Sequence, residues 1–182
     1  MLTTRPTKRD KGSFFSTALM FDILDEGNPV GSLVYDKGSK AEITFGDQVF
    51  IAQRANDKPD EVLYQALVRV MTGAGRPPAN PWMLKDAGNR TLALAESMGR
   101  NFVISRGSES LALRKTFGSR PYRLYRDGSE QPLGTVGQEK FFSRTLHMNL
   151  PAEFEPAFQM FLLVLLLDLS LKQMANNASY SP

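Results

Sequence analysis

The residues with the most to offer chemically are basic. Between Arg100 and Arg126 stand Arg100, Arg106, Arg114, Lys115, Arg120, Arg123 and Arg126, against Glu109 alone. Seven cations less one acid give this stretch +6, while the whole chain carries only +3. Phe117, Tyr122 and Tyr125 are interleaved. Planar guanidinium forks bind phosphate bidentately, and several aimed from neighbouring hairpins would hold a phosphorylated head group. The N-terminal Arg5, Lys8, Arg9 and Lys11 would add attraction to an anionic lipid surface, about 1 kcal/mol per residue. The bland alternative stays open: alternating strand positions could simply turn these arginines outward as a solvated face.

Other chemistries find little support. Cysteine is absent, which excludes thiolate catalysis, disulfides, iron–sulfur clusters and cysteine zinc sites. His147 is the single histidine, so multi-histidine metal sites and most histidine relays are excluded. Its surroundings, Thr145-Leu146-His147-Met148-Asn149, read as a strand, and a wall position suits it better than catalysis. No P-loop, GxGxxG, GxSxG or HExxH stands in the sequence. Gly73-Ala74-Gly75 is too short to cradle phosphate and reads as a helix stop. The acidic groups Asp22/Asp25/Glu26, Asp57/Asp60/Glu61 and Glu153/Glu155 lack EF-hand spacing and read as turn and cap residues. No catalytic residue, metal or cofactor is expected, and the chain reads as a non-enzyme.

The elements that would position the basic strip follow from patterning. The chain has 182 residues, 42% hydrophobic and 23% charged, which suits one domain with its own core. Three stretches share a design: FDILDEGNPVGSLV from Phe21, WMLKDAGNRTLALA from Trp82 and YRLYRDGSEQPLGTV from Tyr122. Each has an aromatic start, an alternating run, an acidic residue with glycine one or two later, and a second alternating run. That is the signature of a β-hairpin. Further alternating text at Ala41–Gln53, Arg100–Ser105, Ser110–Lys115 and Phe141–Leu150 predicts ten to twelve strands.

Two segments break this pattern. Val62, Leu63, Ala66, Leu67, Val70 and Met71 recur at helical spacing and predict a connecting helix over 59–71. A second helix is predicted over 153–174, where Phe158–Leu171 reads FQMFLLVLLLDLSL. It is apolar all round, so it must be enclosed on every side. The run contains Gln159 and Asp168 and is short for crossing a bilayer, which takes about 20 apolar residues. A barrel closed around this helix satisfies both demands, since closure also removes sheet edges. Asp168 and Gln159 would then sit near a barrel mouth or pair with strand groups, because an unpaired buried carboxylate is costly. The predicted fold is mainly β with a central α-helix: a closed antiparallel barrel of about twelve strands enclosing a C-terminal hydrophobic helix. Residues 1–13 read as a flexible basic tail, 14–174 as the barrel domain and 175–182 as a C-terminal tail.

The three hairpins, followed by LPAEFEPAFQMFLLVLLLDLSL, resemble the tubby-like superfamily, closest to its LURP-one-related and phospholipid scramblase-like branch. The resemblance covers roughly residues 14–174. It implies a twelve-stranded barrel threaded by the C-terminal helix. It also implies phosphoinositide or lipid-surface recognition as a functional class, and for scramblase-like members an association with calcium. No binding residue of the family is transferred to this sequence.

Two function classes stand side by side. One is a binding module for phosphorylated lipid head groups or an anionic membrane surface, using the basic strip. The other is a protein-interaction module, such as a toxin-neutralising immunity protein or a scaffold, whose strip meets an acidic partner. Nucleic acid is disfavoured, because RNP-type stacking signatures are missing. The N-terminus has basic residues with no apolar run behind them, which argues against a secretory signal. A cytoplasmic protein, at most peripheral at the membrane, is the expectation.

Overall fold

The computed structural model describes residues 1–7, 18–36, 39–55, 80–115, 121–138 and 145–178. The described strands are β1 (Leu2–Pro6), β2 (Leu19–Asp25), β3 (Asn28–Asp36), β4 (Lys40–Phe45), β5 (Gln48–Arg54), β6 (Trp82–Lys85), β7 (Thr91–Met98), β8 (Asn101–Arg106), β9 (Glu109–Lys115), β10 (Tyr122–Arg126), β11 (Pro132–Gln138) and β12 (Leu146–Asn149). One helix follows, α1 (Pro156–Ala178). Each strand pairs antiparallel with the next, and β1 closes the ring by pairing with both β12 and β2. The result is a closed twelve-stranded barrel with no free edge.

Alternation along the strands decides what faces the interior. On β2, Phe21 and Ile23 are buried while Asp22 and Leu24 look outward. On β8, Phe102 and Ile104 are buried and Val103 is exposed. The hairpin turn at Glu26-Gly27 takes positive φ at both residues, 49° and 88°, which matches the right-handed twist of its strands. The three hairpins that share a sequence design are β2–β3, β6–β7 and β10–β11. Each has a register shift, at Ile23/Leu24, Leu84/Lys85 and Leu124/Tyr125. Glycine stands opposite the first and third shifts because the next strand comes too close for a side chain. A Cβ at Gly31 would run into the Thr44 carbonyl oxygen, and one at Gly134 into that of Asn149.

Helix α1 fills the barrel. From Met160 to Leu165 every side chain is 0% exposed, so no face of the helix meets water there. Its partners are the inward residues of the strands, including Ile43, Ala52, Leu84, Leu113 and Val136. A turn at 151–155 delivers the chain to the helix, with Phe154 N–H donating to the Pro151 carbonyl at 3.1 Å. Phe154 then stacks on Phe158 at 5.5 Å between centroids and caps the interior. Gln159, buried beside them, donates from Nε2 to the Phe154 carbonyl at 2.8 Å.

The two ends of the barrel differ. At the end where α1 enters, the strands are joined by the short turns 26–27, 46–47, 86–90, 107–108 and 127–131, and 150–155 leads into the helix. At the opposite end, where α1 leaves, the connections 37–39 and 99–100 are short, but 7–18, 55–81, 116–121 and 139–145 are longer.

Two boundaries differ from the sequence reading. Leu2–Pro6 is not tail but the strand that closes the barrel. Helix α1 begins at Pro156 rather than 153, since proline suits the first helical position, and it runs on to Ala178. The helix predicted over 59–71 lies outside the described residues, as do Gly73-Ala74-Gly75, Asp57/Asp60/Glu61, and Lys8, Arg9 and Lys11 of the basic N-terminus.

Candidate functional site

Strands β8, β9 and β10 carry the basic strip, and the antiparallel course of these strands divides it. Arg106 closes β8 at the helix-entry end. Its guanidinium lies over the rings of Phe154 and Phe158, at 5.5 and 5.3 Å, and pairs with Glu109 at 3.3 Å. Arg126, ending β10, pairs with the other oxygen of Glu109 at 3.2 Å and with Glu153 at 3.7 Å. These two arginines fasten the turn before α1 to the barrel rim, and their charge is already matched.

Arg114, Lys115 and Arg123 lie at the helix-exit end, where the β7–β8 turn brings Arg100 as well. Arg114 and Arg123 are direct cross-strand partners on the outer wall. Lys115 faces Tyr122 across the same pair of strands. Arg114 lies over the Tyr125 ring at 5.6 Å and the Lys115 ammonium over Tyr122 at 5.6 Å. Among the described residues, none of these four cations has a carboxylate within 4.0 Å. Burial raises the Tyr122 phenol above its ordinary value, and the positive charge of Arg100 pulls it partly back. Arg120 and Phe117 lie outside the described residues. Four members of the strip therefore converge at one end, and two serve as rim clamps at the other.

A like-charged pair directly across two strands destabilises a sheet. Two unmatched arginines in that position are a feature that folding does not require. The turns at the other end of the barrel carry the opposite charge. The turns at the helix-entry end hold Glu26, Asp47, Asp86, Asp127, Glu130, Glu153 and Glu155 against a single basic side chain, Arg90. Arg90 is itself paired with Asp86 at 3.1 Å. Among the described residues, acidic turns thus lie where the helix enters and four unmatched cations where it leaves, on the β8–β10 side; Asp36 and Glu42 stand at that same end on β3 and β4.

The helix-exit end also holds the one deeply buried acid described. Asp168 sits on α1 with its side chain 3% exposed, and its carboxylate accepts from Arg54 Nη2 at 2.6 Å and from Lys172 Nζ at 3.0 Å. Arg54, from the last position of β5, also donates to the Asn80 carbonyl at 3.0 Å and lies over the Trp82 ring at 5.0 Å. The cluster fixes how far α1 is threaded and ties it to β5 and β6. The need for a partner to Asp168 was readable in the sequence; the identity of that partner, Arg54 on a distant strand, was not.

His147 occupies an outward position on β12, in register with Thr3 and Gly137. Among the described residues no group of three or more histidine, aspartate or glutamate side chains could hold a metal ion. Asp25 meets the terminal amino group at 2.9 Å and Asp22 meets Arg5 at 3.7 Å, so two members of the first acidic group are held in ion pairs. Among the described residues no helix is long and apolar enough to cross a membrane. Comparison with protein-family models, with curated proteins and with solved structures found no match. The described residues form a helix-filled barrel that gathers four unmatched cations on the β8–β10 side at the end where the helix leaves.

Proposed function

We propose that this chain is a non-catalytic binding protein that recognises phosphorylated lipid head groups or an anionic membrane surface through its cationic end. The observation that carries the reading is the unmatched Arg114–Arg123 pair, with Arg100 and Lys115 beside it. Two guanidinium forks on one wall offer paired N–H groups to phosphate oxygens, which relieves their mutual repulsion. Four such cations near an anionic surface supply about 1 kcal/mol each, enough for reversible recruitment. The hairpin-by-hairpin resemblance to tubby-like proteins supports the same class of ligand by analogy of fold.

The test is co-sedimentation of the protein with vesicles of phosphatidylcholine alone, with phosphatidylserine, and with a phosphoinositide, each at two salt concentrations. Salt-sensitive retention on the anionic vesicles is the expected outcome, because such contacts are screened within a Debye length. No retention at low salt refutes the lipid reading and turns attention to an acidic protein partner for the same surface.

A further inference from the structure

We infer that the β7–β8 turn, Met98-Gly99-Arg100, is an apolar wedge that enters the acyl-chain boundary of an anionic bilayer while the neighbouring arginines hold head-group phosphates. This deepens the lipid reading above and rests on it. Met98 is 62% exposed, the highest value among the large apolar side chains described. It ends β7 in register with Asn101, whose Oδ1 accepts from the Lys115 N–H at 3.2 Å. Lys115 is preceded on β9 by Arg114, which faces Arg123. One outward band at the helix-exit end thus runs from Met98 through Asn101 to Arg114 and Arg123. Val103, 39% exposed, lies further along the same wall.

The remaining exposed apolar residues do not share this setting. Met1, Val30 and Val49 belong to the acidic side of the barrel. Met20 lies on the β2 wall, between β1 and β3, away from the strands that carry the cations. Among the described residues, Met98 alone is an exposed large apolar side chain flanking a tight turn that also carries an unmatched arginine. Glu96, the one acid on β7, faces Val103 and so lies further from the rim. An apolar tip beside a cluster of cations suits an anionic lipid surface: the charges bring it close, and burial of the tip adds a contribution that salt does not screen. The acidic end of the barrel, where α1 enters, then points away from the bilayer.

The cysteine-free sequence makes the test clean. Met98→Cys and Asp47→Cys each provide one attachment point for an environment-sensitive fluorophore, at the two opposite ends. On mixed phosphatidylcholine–phosphatidylserine vesicles, the Met98→Cys probe is expected to shift to the blue and to be quenched by lipids brominated on their acyl chains. The Asp47→Cys probe is expected to do neither. Unlabelled Met98→Ser should bind these vesicles about tenfold more weakly with its salt dependence unchanged. Its melting temperature should match that of the parent, which separates lost insertion from lost folding. A silent Met98→Cys probe on protein that does co-sediment overturns the wedge and leaves the lipid reading standing. Absence of co-sedimentation overturns both.

Discussion

Replacing Asp168 by alanine removes the only described carboxylate that reaches Arg54. In the native barrel that carboxylate is 3% exposed and Arg54 is 19% exposed, with 2.6 Å between them. Removing one partner of a buried pair typically costs about 3–5 kcal/mol, because the other charge stays desolvated. Arg54 keeps the Asn80 carbonyl and the Trp82 ring, and it retains some water contact, so the lower bound of about 3 kcal/mol applies. For a domain of this size that lowers Tm by about 6–12 °C. Lys172 gives the internal control. It meets the same carboxylate at 3.0 Å but is 52% exposed, so Lys172→Ala should cost under about 1 kcal/mol. Replacing both members of the buried pair, Arg54→Met with Asp168→Leu, should recover most of the loss, since no charge is then left unpaired. Urea unfolding followed by the fluorescence of Trp82 reads all four proteins. An Asp168→Ala loss no larger than that of Lys172→Ala would refute the reasoning that this cluster sets the threading of α1.

Gly134→Ala should destabilise by about 1–3 kcal/mol, read from the urea midpoint, because the new methyl meets the Asn149 carbonyl oxygen, a backbone atom that cannot swing aside. Tyr122 should ionise above the usual tyrosine range in the folded protein. Its contribution to stability is full below pH about 10 and is lost as pH rises through the folded-state value. Arg100→Gln should push that titration higher still, measured as phenolate absorbance against a Tyr122→Phe reference. Arg106→Gln should lower Tm, because Glu109 loses one partner and the Phe154–Phe158 stack loses its cation, yet vesicle binding should be unchanged.

The barrel was legible in the sequence because its signals are local. Alternation, acidic–glycine turns and an all-apolar helix each lie within a few residues, and enclosure of that helix leaves few solutions. The closing strand was not legible. Leu-Thr-Thr-Arg-Pro is short and polar, and its partner Leu146–Asn149 lies towards the other end of the chain. The basic strip illustrates a related limit. The run from Arg100 to Arg126 looks like one patch, yet it crosses the barrel wall three times, on β8, β9 and β10. Residues near opposite ends of a strand are then parted by its length. Arg106 and Arg126 were drawn to Glu109 and Glu153, while Arg100, Arg114, Lys115 and Arg123 gathered at the far rim. Only strand direction and register distinguish the two groups. The acidic turns at the helix-entry end are not legible for the same reason: carboxylates scattered from Glu26 to Glu155 share one end only once the strands are wound.

The most direct test of a functional cationic end is vesicle affinity as a function of salt. It compares the parent chain with Arg100→Gln/Arg114→Gln/Arg123→Gln and with Arg106→Gln/Arg126→Gln. The first variant should bind phosphoinositide-containing vesicles at least about a hundredfold more weakly, at about 1 kcal/mol per charge, with a flatter salt dependence. The second variant should bind like the parent. Equal weakening of the two variants, or none in either, would contradict the assignment of binding to the end of the barrel where the helix leaves.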